Sequence, residues 1–321
     1  MIVFIGGVVA GATGAFFSDT ETSSGNTFTA GAIDLKIDST SHYNGNVCVP
    51  STVVDPLVPF VWQGNAGWPI PGTPCDGTWA ETDLGITHKF FNLTDIKPGD
   101  FGEDTISLHV YDNDSWGRFV INGVTDLDGT CTEPESEVTT AEPDCPAPSN
   151  IPATTPGELA ESITFYAWLD QGAIPGFQNV LANGLPNTGN IDPTEGDNIQ
   201  QCASPTAACA EPTVIQPGTV DENPNPDQTL ADETHNIWPA LAAVWNAYCS
   251  TSNPQGANNY GPCQGIAQDG RLVGSTTYYF GLAWSIPTTV GNEAQTDSLN
   301  ANLVFQAVQQ RNNPANPNPT F

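Results

Sequence analysis

Basic residues are nearly missing from this chain: 6 Lys and Arg stand against 36 Asp and Glu in 321 residues, a formal net charge of -30 at pH 7. A negative field of that strength excludes nucleic acid and anionic membrane surfaces as natural partners and favours cations. It also suits a saline medium, where screening shortens self-repulsion to roughly 3 Å at 1 M salt. Catalytic signatures are missing too. The four histidines, His42, His88, His109 and His235, form no H-E-x-x-H or related pair, so no helix face carries the spacing that holds a catalytic zinc. Asp232, Glu233 and His235 are neighbours in sequence, but a zinc centre needs three well-spaced ligands and an open position. Gly-x-Ser-x-Gly elbow, phosphate loop and dinucleotide fingerprint are all absent. Acidity by itself does not position the two carboxylates of a glycosidase. The chain therefore reads as no enzyme, with no cofactor expected beyond a structural calcium.

Helix-rich composition is also lacking, with 28 Pro, 31 Gly and a single Met, as in all-β domains with long connections. Against disorder stand 8 Trp and 14 Phe, which unfolded chains seldom carry. The length suits one large domain elaborated by loops. Met1 to Phe17 holds no charged residue and ends in small residues, the pattern of a secretory segment over 1–14 cut between Gly14 and Ala15. Its apolar stretch falls short of the roughly 20 residues a membrane-spanning helix needs. The usual basic residues at the start of such a segment are missing. A secreted, extracellular or cell-surface location follows.

The eight cysteines, Cys48, Cys75, Cys131, Cys145, Cys202, Cys209, Cys249 and Cys263, include no C-x-x-C pair, and an even number in an exported chain reads as disulfides. Pairing between sequence neighbours is expected because each adjacent pair brackets its own Pro, Gly or Asn-rich loop. Each bridge would contribute on the order of 2 to 4 kcal/mol if unstrained.

Period-two alternation marks the strands. Ile33, Leu35 and Ile37 alternate with Asp34, Lys36 and Asp38, and Ile106, Leu108 and Val110 with Ser107, His109 and Tyr111. Further strands are expected at Ile86 to Leu93, Trp116 to Val124, Ile163 to Leu169, Thr277 to Trp284 and Leu299 to Val308. In the last of these, Leu299, Ala301, Leu303, Phe305 and Ala307 share a face. Ile237, Leu241, Val244, Trp245 and Tyr248 recur at helical spacing behind Pro239, which predicts one helix packed across a sheet edge. The fold expected is an all-β, jelly-roll type β-sandwich over residues 30–311 with one or two short helices. Long disulfide-stapled loops at about 39–80, 126–157 and 185–235 would decorate it, and the tail 312–321 would be frayed or extended.

Some clusters invite ligands. Asp126, Asp128 and Glu133, and separately Asp112 and Asp114, group oxygens that suit calcium, although neither set forms a complete calcium loop. Asn92 and Asn113 open glycosylation sequons. Trp62, Trp68 and Trp79 could form a carbohydrate or partner platform, or a small satellite core under a stapled loop.

The run from Gly11 through Ala15, Phe16, Phe17 and Ser18 to Leu35 resembles the TasA/camelysin family at its signal-peptidase cleavage site. Phe91 to Asp100, with Lys97-Pro98-Gly99-Asp100 at its end, is similar to that family's Asn-Leu-x-x-Leu-Lys-Pro-Gly-Asp element. Ile163 to Asp170 and Trp284 to Arg311 resemble later strands, so about half the chain is covered and the cysteine-bearing loops lie outside. The resemblance implies an extracellular jelly-roll protein that polymerises head to tail into biofilm-matrix fibres, the mature N-terminus of one subunit completing a sheet of the next. In this chain the donor segment would be 15–29, with Ala15, Phe16, Phe17, Thr27 and Phe28 as its anchors. The partners implied are copies of the chain itself, with matrix polysaccharide or the cell surface beside them and no nucleic acid. A monomeric adhesin or glycan-binding module is the alternative. A metallopeptidase, an activity to which camelysin-type proteins have been assigned, is the remote one.

Overall fold

Alternating apolar residues build two antiparallel sheets around one core. The computed structural model describes residues 18–22, 33–52, 58–85, 87–136, 157–177, 192–201, 211–219, 234–250, 263, 265–313 and 319–321. Twelve strands occur among them: β1 (Ser18–Thr22), β2 (Ile33–Tyr43), β3 (Asn46–Pro50), β4 (Phe60–Gln63), β5 (Trp79–Thr82), β6 (Phe101–Asp112), β7 (Ser115–Leu127), β8 (Thr164–Leu169), β9 (Thr213–Thr219), β10 (Thr234–Asn236), β11 (Thr276–Ser285) and β12 (Ser298–Gln309). One sheet has four strands in the order β1-β12-β7-β10. The other has eight, in the order β4-β3-β2-β6-β11-β8-β9 with β5 added against β2.

Side chains alternate across each strand. Ile33, Leu35 and Ile37 of β2, Ile106, Leu108 and Val110 of β6, and Tyr278, Phe280 and Leu282 of β11 are therefore buried together. Phe119, Leu303, Phe305 and Ala307 of the small sheet close the same core from the other side. The Phe119 ring meets Phe280 edge-on at 5.1 Å and Phe305 at 4.5 Å, the geometry the ring quadrupole favours.

The predicted helix is present as Trp238–Val244, extended by a π turn over Trp245–Cys249. Pro239 lies in its first turn, where the missing N–H costs least. Ile237, Leu241 and Val244 are buried. Two single α-helical turns, Glu133–Ser136 and Leu159–Ser162, and a 3-10 turn at Asn292–Ala294 complete the helical content described. Cys48 bonds Cys75 and Cys249 bonds Cys263, both sequence neighbours as expected. Cys131 is also disulfide-bonded. Cys145, Cys202 and Cys209 lie outside the described residues.

Several expectations are corrected. Residues 87–93 form no strand. The backbone doubles back, with the Gly85 N–H donating to His88 Nδ1 at 2.9 Å and the His88 N–H to the Gly85 carbonyl. Phe90, Phe91 and Leu93 then pack onto the core from irregular chain. The stretch 39–80 is no simple loop: β2 runs on to Tyr43, turns at Asn44 (φ 49°) and Gly45 (φ 85°), and returns as β3, followed by β4 and β5. Likewise β9 falls within 185–235 and β10 begins at its end.

On β12 a register shift between Asn300 and Asn302 leaves Ala301 exposed, while Leu303, Phe305 and Ala307 keep the core face. The described end of the tail is tied down. Asn313 exchanges two hydrogen bonds with Thr320, and Phe321 stacks on Trp238 and under the Arg118 guanidinium, 3.9 Å away.

Candidate functional site

The first candidate is the free edge of the small sheet. Ser18–Thr22 pairs antiparallel with β12, Ser18 opposite Val308 and Thr22 opposite Val304. β1 contains Ser, Asp, Thr, Glu and Thr and no apolar residue. Main-chain pairing rather than apolar burial therefore attaches it. Remove it, and β12 presents a row of unpaired N–H and carbonyl groups. Of the donor segment expected from the sequence, only 18–22 is described, and it lies in the sheet of its own chain. Ala15, Phe16, Phe17, Thr27 and Phe28 lie outside the described residues.

The second candidate is the outer face of the large sheet. Consecutive residues on a strand point to opposite sides, so Glu103 lies outside while Asp104 enters the core beside Ser41. Asp104 is fully buried, and burial raises its carboxyl well above the ordinary range, with Ser41 partly opposing. Burial likewise pushes Glu103 up to about 10, helped by the charges of Asp104, Asp170 and Asp197. Glu103 is therefore protonated at neutral pH, and burial favours the protonated form of Asp104 as well. Burial lowers the pKa of His42, so the His42–Glu103 approach of 3.5 Å is a contact of neutral groups at pH 7 rather than an ion pair.

Residues 192–201 form a roof over this face. Asp170, at the end of β8, accepts hydrogen bonds from the Gly196 N–H (3.2 Å) and the Asn198 N–H (3.0 Å). Glu211 accepts from Gly172 (2.7 Å) and from Gln201. Gly172, at φ +80°, cannot be replaced cheaply, because an added Cβ would lie 2.4 Å from Asp192. Burial again dominates the titration here: Glu211 is pushed up to about 8 and Asp170 to about 6, while those backbone donors pull both down. Beneath the roof a pocket of about 270 Å³ is lined by Asp38, His42, Ser107, Asp197, Asn198 and Tyr279 among others. As pH rises from 5 to 10, Asp170, Glu211 and Glu103 lose their protons in turn, so this face gains negative charge.

The calcium candidates separate. Asp112 and Asp114 flank the turn before β7, whereas Asp126 and Asp128 lie at its far end, roughly 40 Å away along the strand. Asp114 is committed to structure, its carboxylate accepting from Arg271 Nε at 2.7 Å and the Gly274 N–H at 3.0 Å. Glu133 is exposed at the start of a helical turn. Among the described residues no three His, Cys, Asp or Glu are grouped to hold a metal.

The histidines also disperse: His42 lies under the roof, His88 in a loop, His109 against Asp38 at 2.7 Å, and His235 on β10. Of the sequons, Asn92 is bonded to Asp76 at 2.6 Å, and Asn113 sits in the β6–β7 turn. Sequence reasoning passed over Glu103, Asp104, Asp170 and Glu211. The available signal was Glu103-Asp104 directly preceding an apolar alternation.

The disulfides fit an oxidising compartment, and among the described residues no helix is long and apolar enough to cross a membrane. Comparison with known proteins returns no matching family model, no matching curated protein and no matching solved structure.

Proposed function

We propose that this chain is a secreted structural subunit that polymerises head to tail into an extracellular filament, its N-terminal segment completing the four-stranded sheet of the next subunit. The observation that carries the reading is the attachment of β1. It is a polar strand held at a sheet edge by main-chain pairing to β12, and the ten residues 23–32 separate it from β2. The β12 edge accepts the same five-residue backbone from a second copy as readily as from its own, at little net cost in pairing. Phe16 and Phe17 just upstream would add apolar burial in a neighbour, each contributing roughly 1.5 to 3 kcal/mol before ordering costs. Such a contact joins two different surfaces, so it extends without closing. The two-sheet architecture and the sequence resemblance both suit a jelly-roll member of the TasA/camelysin family. In that reading the stapled loops face outward and no catalytic centre is required.

Register supplies the test, because Thr20 faces Gln306 across the β1–β12 pair. Chains carrying Thr20→Cys mixed with chains carrying Gln306→Cys should form a disulfide between the two variants, in filaments visible by negative-stain electron microscopy. Deleting residues 15–29 should leave folded monomers. If mixed chains stay uncrosslinked and monodisperse at every salt and calcium concentration, the reading fails and β1 belongs to its own sheet alone.

A further inference from the structure

The first disulfide-stapled region holds a cavity independent of the assembly edge, and its walls point to a ligand class. The pocket measures about 210 Å³ and lies between the end of β2, β4 and the loops on either side of β5. Three aromatic rings, Tyr43, Trp62 and Trp68, form one part of its lining, and Asp76, Asn92 and Thr94 supply hydrogen-bonding side chains to another.

The three tryptophans of this region divide cleanly. Trp62 is buried against the Cys48–Cys75 bridge, and Trp79 packs on Phe90 with its indole N–H bonded to the Ile37 carbonyl at 3.2 Å. These two are core. Trp68 is 39% exposed, yet it is held in place from several sides. Its indole bonds the Tyr43 hydroxyl, which itself donates to Asp100 Oδ2 at 2.7 Å, while Asn44 holds Oδ1 at 2.8 Å. Asn46 fastens the Trp68 loop through the carbonyls of Ala66 and Pro69 and the Ala66 N–H. Removing an indole from the core and then immobilising it at a cavity mouth is unfavourable for stability alone. Such rigidity lowers the ordering cost of binding a ligand.

We infer that this pocket binds a neutral saccharide, one pyranose ring at a time. A pyranose presents an apolar C–H face and a belt of hydroxyls, which matches aromatic walls beside an amide, a carboxylate and a hydroxyl. An anionic ligand is disfavoured by Asp76 and by the chain's net charge of -30. The two lysines beside it are already engaged: Lys89 donates to Asn92 Oδ1 at 3.4 Å, and Lys97 is paired with Asp95 at 2.6 Å and lies 5.4 Å over Trp68. A wholly apolar ligand would strand the polar rim without partners. The volume falls below the roughly 300 Å³ at which drug-sized pockets begin, so the pocket takes a single ring. The sugar can come from an external polysaccharide or from a glycan carried on Asn92, whose sequon opens on the same rim.

The test uses the full mature chain made in a host without N-glycosylation, titrated with glucose, galactose, mannose and N-acetylglucosamine as mono- and trisaccharides. Tryptophan fluorescence and saturation-transfer NMR are the readouts. At least one sugar should bind with a Kd near ~1 mM. Trp68→Ala should weaken it by about tenfold or more in a chain that still folds cooperatively, and Trp79→Phe should leave affinity alone. Protein from the native source then separates the sugar's origins. Binding that appears only after enzymatic removal of an Asn92 glycan assigns the pocket to the chain's own sugar, and binding before and after assigns it to an external one. If none of the sugars binds, or if Trp68→Ala binds as well as the parent, the inference is overturned.

Discussion

The two halves of β6 obey opposite rules. From Ile106 to Val110 the strand buries apolar residues on one side and turns Ser107 and His109 to the other. From Glu103 to Asp104 it carries two carboxyls that are both taken out of water, one on each side of the sheet. The apolar side chains of the first half contribute stability that no change of pH should touch. The second half costs stability that grows as protons leave. A strand can therefore be both the centre of the core and the place where the fold responds to its surroundings.

The largest expected effect lies in the apolar half. Leu108 is 1% exposed and pairs across the sheet with Ile37 and Tyr278. Leu108→Ala should cost about 2 to 5 kcal/mol, and by chemical denaturation the loss should be equal at pH 5 and pH 9. A loss that varied with pH would mean the two halves are coupled through the core.

Glu103→Gln tests the acidic half. The folded-state pKa of about 10 lies above the ordinary 4.5, so the folded chain holds this proton more tightly than the unfolded one. The stability it allows is fully present below about pH 4.5 and is lost progressively as pH rises toward 10. Glu211 and Asp170 act in the same direction over narrower windows. The parent protein should lose stability between pH 5 and pH 9 that Glu103→Gln does not lose. Surface repulsion at a net charge of -30 has the same sign, so the difference between parent and variant in high salt is the quantity to measure. Identical pH slopes would show that Glu103 titrates as an ordinary surface acid.

The same contrast explains what could be read from sequence. The apolar half of β6, together with the cores of β2, β7, β8, β11 and β12, announces itself because burial on one face imposes period two. The two visible disulfides followed from loop composition and the helix from its spacing. Residues 87–93 misled because Phe90, Phe91 and Leu93 resemble a strand in composition while serving as a plug, and plugs carry no period. The β2–β3 hairpin was readable in Asn44-Gly45, a dipeptide suited to left-handed backbone, and was passed over within a stretch taken as loop. The acidic site left only one local trace, the Glu103-Asp104 pair directly preceding the apolar alternation. Residues 192–201, about ninety positions later in the chain, fold over the face that carries Glu103, and nothing local to β6 encodes that roof. Trp68 differs from Trp62 and Trp79 only in tertiary surroundings, so composition could not tell a rim from a core.

Asp114 gives the smallest effect and the sharpest control. It lies two residues beyond the end of β6, its side chain 38% exposed, with its carboxylate shared between Arg271 and the Gly274 N–H. Here is a carboxylate on the same hairpin as Glu103 that is partnered rather than stranded. Exposed pairs of this kind contribute about 0 to 1 kcal/mol because solvent screens them and ordering two side chains costs entropy. Asp114→Asn keeps the hydrogen-bond acceptor and removes the charge, so it should lower stability by less than about 1 kcal/mol. That loss should shrink as salt is added, whereas the pH slope removed by Glu103→Gln should persist, because a buried group is poorly screened. Loss of more than about 2 kcal/mol, or a loss indifferent to salt, would place Asp114 with the buried carboxyls. The contrast would then divide hairpin from roof rather than one half of β6 from the other.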